Sequence, residues 1–197
     1  MHIITGTTAS LGHALSSQMF EYRYRVFVET LGWELDCTYG VEKDQFDRED
    51  TVYVIALKAN GMFVGVARLL NTTHPYLLGN VFTQLLADQP VPCEPDVWEL
   101  SRFAMMDFDK PACTRSQIDS LTVMPLLRAT LNCAADLGAR GLVTVSPLGV
   151  ERLLRRYGAF AKRLGQPAIV NGYALIACWI ECTAQLSIDN ALSNAVA

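Results

Sequence analysis

Residues 51–58 (TVYVIALK) and 62–70 (MFVGVARLL) are apolar, β-branched runs separated by Asn60-Gly61. Two such runs flanking Asn-Gly read as the arms of an antiparallel hairpin. At least one antiparallel pair indicates a mixed sheet, not a doubly wound parallel one. Helical and strand patterns interleave around it. In residues 10–31, Leu11, Leu15, Met19, Tyr22, Val26 and Phe27 recur at helical spacing, with Gly32 as a stop. Residues 34–50 are acidic and irregular, and 97–105 read as a third strand. Residues 116–137 read as a helix opened by a capping-box-like Ser116-x-x-Asp119, kinked at Pro125 and ended by Gly138. A strand at 142–146, a helix at 150–157 and a strand at 172–180 follow. The pattern predicts an α/β fold, a mixed sheet flanked by helices.

The chain has 197 residues, so a single domain spanning 1–197 is expected. Hydrophobic residues at 51% against 18% charged exclude a disordered chain and supply a core without staples. A net charge of −4 argues against a nucleic-acid binder. No apolar run has the length of a membrane span, and residues 1–15 lack the build of a signal peptide. A soluble, cytoplasmic protein with no membrane partner is therefore expected. Six scattered cysteines read as reduced core residues. His2, His13 and His74 lie too far apart for a zinc site, and no Gly-x-Ser-x-Gly elbow is present.

The informative residues are charges that local pattern places on apolar faces. Arg25, with Glu21 and Glu29 four residues to either side, has the spacing of solvated helix pairs. Arg23 falls instead on the face of Met19 and Phe27, where it must either snorkel along its stem or find a counter-charge. Arg68 shares a strand face with Val64, Val66 and Leu70. Glu99 and Arg102 lie inside the third strand, on opposite faces unless a bulge re-aims one of them. Asp44 and Asp47 are candidate counter-charges. Pattern alone leaves two readings open: a buried network that only fixes the loop, or a pocket for a substrate carrying both an amine and a carboxylate.

Four segments carry a resemblance. They are Arg23-x-x-x-Phe27-x-x-x-Leu31-Gly32-Trp33, Glu42-x-Asp44-Gln45-Phe46-Asp47, Gly65-x-x-Arg68-Leu69-Leu70 and Trp98-Glu99-x-Ser101-Arg102-Phe103. In order and spacing the chain resembles the acyl-homoserine lactone synthases, the LuxI-type autoinducer synthases. Glu151-Arg152-x-Leu154-x-x-x-Gly158 matches more loosely. The resemblance implies an α/β/α sandwich on a mixed, V-shaped sheet similar to N-acetyltransferases. It also implies a quorum-sensing acyltransferase using S-adenosylmethionine and an acyl-acyl carrier protein as substrates, with no resident cofactor or metal. In such a reaction the amine of S-adenosylmethionine attacks the acyl thioester. Its carboxylate then closes the lactone, and methylthioadenosine leaves.

Carried over by position, Glu99 becomes the candidate general base or, alternatively, an arginine's partner. Arg23 and Arg102 would hold carboxylate or position Glu99, with Arg102 in the catalytic set. Asp44, Asp47 and Arg68 would complete the ion network, and Phe27, Trp33 and Phe103 would line the S-adenosylmethionine pocket. Backbone N–H groups near Arg102 and Phe103 would serve the oxyanion if a bulge frees them. Thr144 and Phe82 would line the acyl pocket, although a strand threonine is also simply a good strand former. The basic residues Arg152, Arg155 and Arg156, in a stretch that also holds Arg140, Lys162 and Arg163, suit an acidic carrier protein or merely a solvated helix. Two other functions remain open here: an acetyl-CoA-dependent N-acetyltransferase, disfavoured by the lack of glycine between Asp107 and Ile118, and a non-catalytic binding module.

Overall fold

A computed structural model describes residues 1–111, 120–156, 160–170 and 172–182, with side chains at all of these but 120–122, 153 and 156. The expected capping box at Ser116 and Asp119, together with Tyr157 and Gly158, lies outside the described residues. The chain forms two compact units. One comprises Met1–Leu70 and Ser101–Cys133; the other comprises Asn71–Leu100 and the chain from Ala134 onward.

In the first unit β1 (His2–Gly6), β2 (Val52–Leu57) and β3 (Phe63–Asn71) pair in that order, both ladders antiparallel. The hairpin forms as expected, but its tip is wider than a two-residue turn. Lys58 N–H donates to Met62 C=O at 2.8 Å, and Gly61 takes φ +82 between them. That is the three-residue loop in which glycine supplies the left-handed position. Strand β1 carries no alternating polar pattern and escaped the sequence reading. Met106 N–H donates to Val64 C=O at 2.8 Å, tying the end of β4 (Val97–Met105) to β3.

The long N-terminal helix is less regular than its spacing predicts. Helix α1 (Thr8–Arg23) is capped by the Thr7 hydroxyl, and Gly12 interrupts it with φ 78. From Tyr24 to Thr30 the chain widens into a π-helix. Leu31 N–H donates to Val26 C=O, and the Thr30 hydroxyl donates to the Arg25 carbonyl at 2.8 Å, both five residues back. Gly32, at φ +68, stops the helix where expected. The core here joins Met19, Phe20, Tyr22, Val26 and Phe27 to Tyr53, Ile55, Val66 and Ala104. Helix α3 (Ser120–Asp136) packs Leu126 over Gly65, where a Cβ would stand 3.0 Å from its methyl.

In the second unit β4 runs parallel to β5 (Gly141–Pro147) over only Val97–Glu99. Strand β5 is antiparallel to β8 (Tyr173–Glu181), and β8 also carries β6 (Ala161–Arg163) and β7 (Ala168–Val170). Register sorts the side chains by face, since directly paired residues point the same way. Trp98, Leu142, Thr144, Ser146, Ile176, Cys178 and Ile180 share one face. Glu99, Val143 and Trp179 share the other. Helix α4 (Leu148–Arg156) lies on the first face through Glu151, which pairs with Arg163 beside Cys178. The short helix α2 (Leu77–Asn80) meets the second face at Glu99. A 3-10 turn, Thr83–Leu86, follows it.

Candidate active site

Three arginines and three carboxylates interlock inside the first unit. Arg23, in the last turn of α1, donates from Nε to Glu42 at 2.6 Å and from its two Nη atoms to Asp47 at 2.7 and 3.0 Å. Arg68 on β3 donates from Nη1 to Asp44 at 2.6 Å and from Nε to the Ser101 hydroxyl at 3.0 Å. Arg102 on β4 reaches Glu42 at 3.0 Å and Asp44 at 2.9 Å. The Tyr53 hydroxyl and the Asp44 N–H complete Asp47, each at 2.8 Å. Arg23 and Arg68 are fully buried, so neither snorkels. Nη2 of Arg68 is buried without a hydrogen-bond acceptor.

The charges hold one another in place. Burial works against the Arg23 charge, but Asp47 and Glu42 more than restore it, and its pKa rises. Burial likewise pushes Asp47 and Glu42 toward neutrality. Arg23 and Arg68 overturn that at Asp47, holding it well below the usual carboxylate range. Arg23 and Arg102 lower Glu42. Burial and the adjacent Asp47 raise Tyr53, which stays a neutral donor. The three arginines and three carboxylates balance in formal charge.

An aromatic wall adjoins the network. The π-helix lets Trp33 N–H donate to Phe27 C=O at 2.9 Å, and the two rings stack with centroids 4.8 Å apart. The Arg102 guanidinium lies 5.6 Å from the Phe27 centroid and 5.8 Å from that of Trp33. Arg102 itself takes φ 49, a left-handed conformation rare outside glycine. It is an irregularity in β4 of the kind the sequence reading allowed for, where strict alternation alone would set Glu99 and Arg102 on opposite faces. Phe103 follows it, half-buried.

Glu99 lies in the second unit, fully buried. Its two oxygens accept the backbone N–H groups of Leu77 at 2.9 Å and Leu78 at 2.6 Å. A carboxylate at a helix start satisfies orphan donors, which fixes both the side chain and the segment it caps. Phe82 lies two residues beyond the helix that Glu99 caps, whereas Thr144 stands on the opposite face of the sheet from Glu99, its hydroxyl 3.5 Å from that of Ser146.

The chain matches the autoinducer synthase family model over residues 8–188. It belongs to that family. It is 49% identical to the acyl-homoserine-lactone synthase of Acinetobacter nosocomialis, over 92% of this chain and all of that one. Among solved structures it resembles TofI in a ternary complex with an inhibitor and MTA, at TM-score 0.81 and 43% identity over 94% of each chain. It also resembles BjaI, a CoA-dependent acyl-homoserine lactone synthase bound to SAM and isopentyl-CoA. That match has TM-score 0.80 and 29% identity, covering 95% of this chain and 85% of BjaI. A putative N-acetyltransferase from Lactobacillus plantarum shares the fold alone, at TM-score 0.61 and 15% identity over 92% of this chain and 97% of that one. The chain is thus an acyl-homoserine-lactone synthase with a mixed open sheet and flanking helices.

Among the residues expected at an autoinducer synthase site, the structure gathers Arg23, Phe27, Trp33, Asp44, Asp47, Arg68 and Arg102 in one unit. It modifies others. Arg23 has every guanidinium nitrogen engaged by carboxylate, so it anchors the acidic segment. Arg25 is exposed, but its guanidinium lies 4.0 Å from the Phe108 centroid where pairs with Glu21 and Glu29 were expected. The π-helix alters the four-residue spacing on which the Glu29 pair depends. The basic stretch is also partly neutralised. Arg140 pairs with Glu94 and Asp96, and Arg155 and Arg163 share Glu151. Arg152 is exposed, and the side chain of Arg156 lies outside the described residues.

Three contributors had no assigned role. Glu42 bridges Arg23 and Arg102, Ser101 orients Arg68, and Tyr53 closes on Asp47. Glu42 and Ser101 stood within the matched segments. Tyr53, in an apolar strand, gave no signal.

Proposed function

We propose that the protein makes N-acyl-L-homoserine lactones from S-adenosylmethionine and an acyl thioester carried by acyl carrier protein, in the cytoplasm. The buried network beside the Phe27–Trp33 stack carries this reading. Six side chains without net charge suit the zwitterionic end of an amino acid, and Nη2 of Arg68 is a ready donor for its carboxylate. The aromatic rings suit a sulfonium. The relatives bound to MTA and to SAM support the same ligand here.

Glu99 takes a proton from the substrate amine, directly or through water, and the freed lone pair attacks the thioester carbonyl. Backbone N–H groups at the Arg102 kink receive the tetrahedral oxyanion. Collapse breaks the C–S bond and the nitrogen sheds its second proton to leave a neutral amide; one of the two protons goes to the departing thiolate and the other passes through Glu99 to solvent. The carboxylate oxygen then attacks the γ-carbon, the C–S⁺ bond breaks, and methylthioadenosine leaves neutral. That step needs correct folding of the substrate more than acid or base, because the leaving group is already charged. No resident cofactor is required. Arg152 and its neighbours on α4 dock the acidic carrier protein. The test is incubation with S-adenosylmethionine and matched acyl-carrier-protein and acyl-CoA donors, with mass spectrometry for the lactone. A lactone from the carrier-protein donor at the higher kcat/KM supports the reading; preference for acyl-CoA replaces the donor, and no lactone from either removes the function.

A further inference from the structure

Helix α2 is a single turn of four residues, too short to hold its shape by its own bonds. Tyr76, which leads into it, is extended at φ −146 and its side chain caps nothing. The turn is held from outside instead. Leu77 and Leu78 direct their N–H groups at Glu99. The N–H just before them, that of Tyr76, donates to Asn80 Oδ1 at 2.9 Å. The Asn80 N–H in turn donates to Tyr76 C=O at 3.0 Å. Asn80 therefore grips both polar backbone groups of Tyr76 and closes the turn whose two remaining N–H groups aim at the carboxylate. The Tyr76 side chain anchors the same turn to the loop behind it, since its hydroxyl donates to Pro92 C=O at 2.5 Å. Asn80 is exposed, whereas Leu78 and Glu99 are fully buried. Its side chain thus adds nothing to the core, and what it fixes is the direction of the turn.

Resting on the proposed reading of Glu99 as the general base, we infer that Asn80 is a positioning residue for acyl transfer. It acts through α2: the Oδ1 bond to Tyr76 sets the turn, and the turn sets the two backbone donors that hold the Glu99 oxygens. A general base must keep hydrogen-bond reach to the proton it takes, and a small misplacement costs rate more than affinity. The six charged side chains assigned to S-adenosylmethionine all belong to the other unit. Loosening α2 therefore weakens the chemical step and leaves the binding of that substrate nearly intact.

The experiment measures kcat and the KM for S-adenosylmethionine with one acyl donor in wild type, Asn80→Ala, Asn80→Asp and Glu99→Gln. Asn80→Ala is expected to lower kcat about tenfold while the KM stays within about twofold of wild type. Asn80→Asp keeps an oxygen that accepts from Tyr76 N–H and is expected to recover most of the loss. Asn80→Gln carries its amide oxygen one methylene farther out; it is expected to show the loss as well, and it replaces Asn80→Ala if circular dichroism finds that variant unfolded. Wild-type kcat in Asn80→Ala overturns the inference. So does a loss that Asn80→Asp shares in full, or a KM that rises in step with the fall in kcat. The underlying readings fail differently: wild-type turnover in Glu99→Gln removes Glu99 as the base, and a wild type that forms no lactone removes the synthase function.

Discussion

Arg23 and Arg25 stand two residues apart and differ in everything but charge. Arg25→Ala removes an exposed stack on Phe108, which is expected to cost under about 1 kcal/mol and leave turnover near wild type. Arg23→Ala leaves Glu42 to Arg102 alone and Asp47 to Arg68 and Tyr53; removing one partner of a buried ion pair costs about 3–5 kcal/mol, and activity is expected to vanish with the network. Urea denaturation and a lactone assay on both variants check this; equal, mild effects would place Arg23 outside the core. Glu99→Gln is nearly isosteric but exchanges one carboxylate oxygen for an amide NH₂, which cannot accept from an α2 N–H. The expected outcome is a retained fold with most acyl transfer lost. Near-wild-type turnover in that variant would make Glu99 a helix cap alone.

At the scale of elements, helix α4 lies on the Thr144 face through Glu151 and presents Arg152 to solvent. Because Arg155 is tied to Glu151, reversing Arg152, Arg155 and Arg156 together perturbs packing as well as charge. Arg152→Glu alone is the cleaner probe. Steering by charge acts mainly on encounter and weakens with ionic strength. The apparent KM for acyl carrier protein is expected to rise in Arg152→Glu and further in the triple reversal, while the KM for S-adenosylmethionine stays nearly unchanged. Carrier-protein kinetics that keep their wild-type salt dependence after the triple reversal would move the docking face elsewhere. The π-helix matters at this scale too. It brings the Phe27 and Trp33 rings together, and its spacing is invisible to a search for 3.6-residue periodicity, because the apolar residues still recur at nearly the same intervals.

For the molecule as a whole, the network predicts a pH dependence of stability. Asp47 and Glu42 have pKa values lowered on folding. As pH falls, the unfolded chain therefore takes up protons first, at about pH 4, and gains on the folded state. Their contribution is fully present above about pH 5 and is lost as the pH falls toward the folded-state values. Denaturation midpoints measured between pH 7 and pH 3 are expected to fall most steeply below pH 4.5. Asp47→Asn is expected to flatten that fall while lowering stability at pH 7. A parallel fall in both proteins would show that the network is not linked to folding.

How much of this was legible in the chain depends on the range of the interaction. Strand β4 and the hairpin arms read well because strand pairing follows short-range alternation and turn chemistry, and Gly32 and Gly138 marked the two helix ends for the same reason. The misplaced charges at Arg23, Arg68, Glu99 and Arg102 were equally visible, since a charge on an apolar face is a local anomaly. Their partners were not. Glu42 lies 19 residues from Arg23 and 60 from Arg102, and nothing local links them. The sequence by itself determined that charges fall on apolar faces and which acidic residues were candidates to meet them. Only the tertiary structure decided that Glu42 joins two arginines, that Glu99 caps α2, and that Trp98 shares a face with Thr144. Those facts depend on strand register and on a left-handed residue at Arg102, which are settled when distant segments pack.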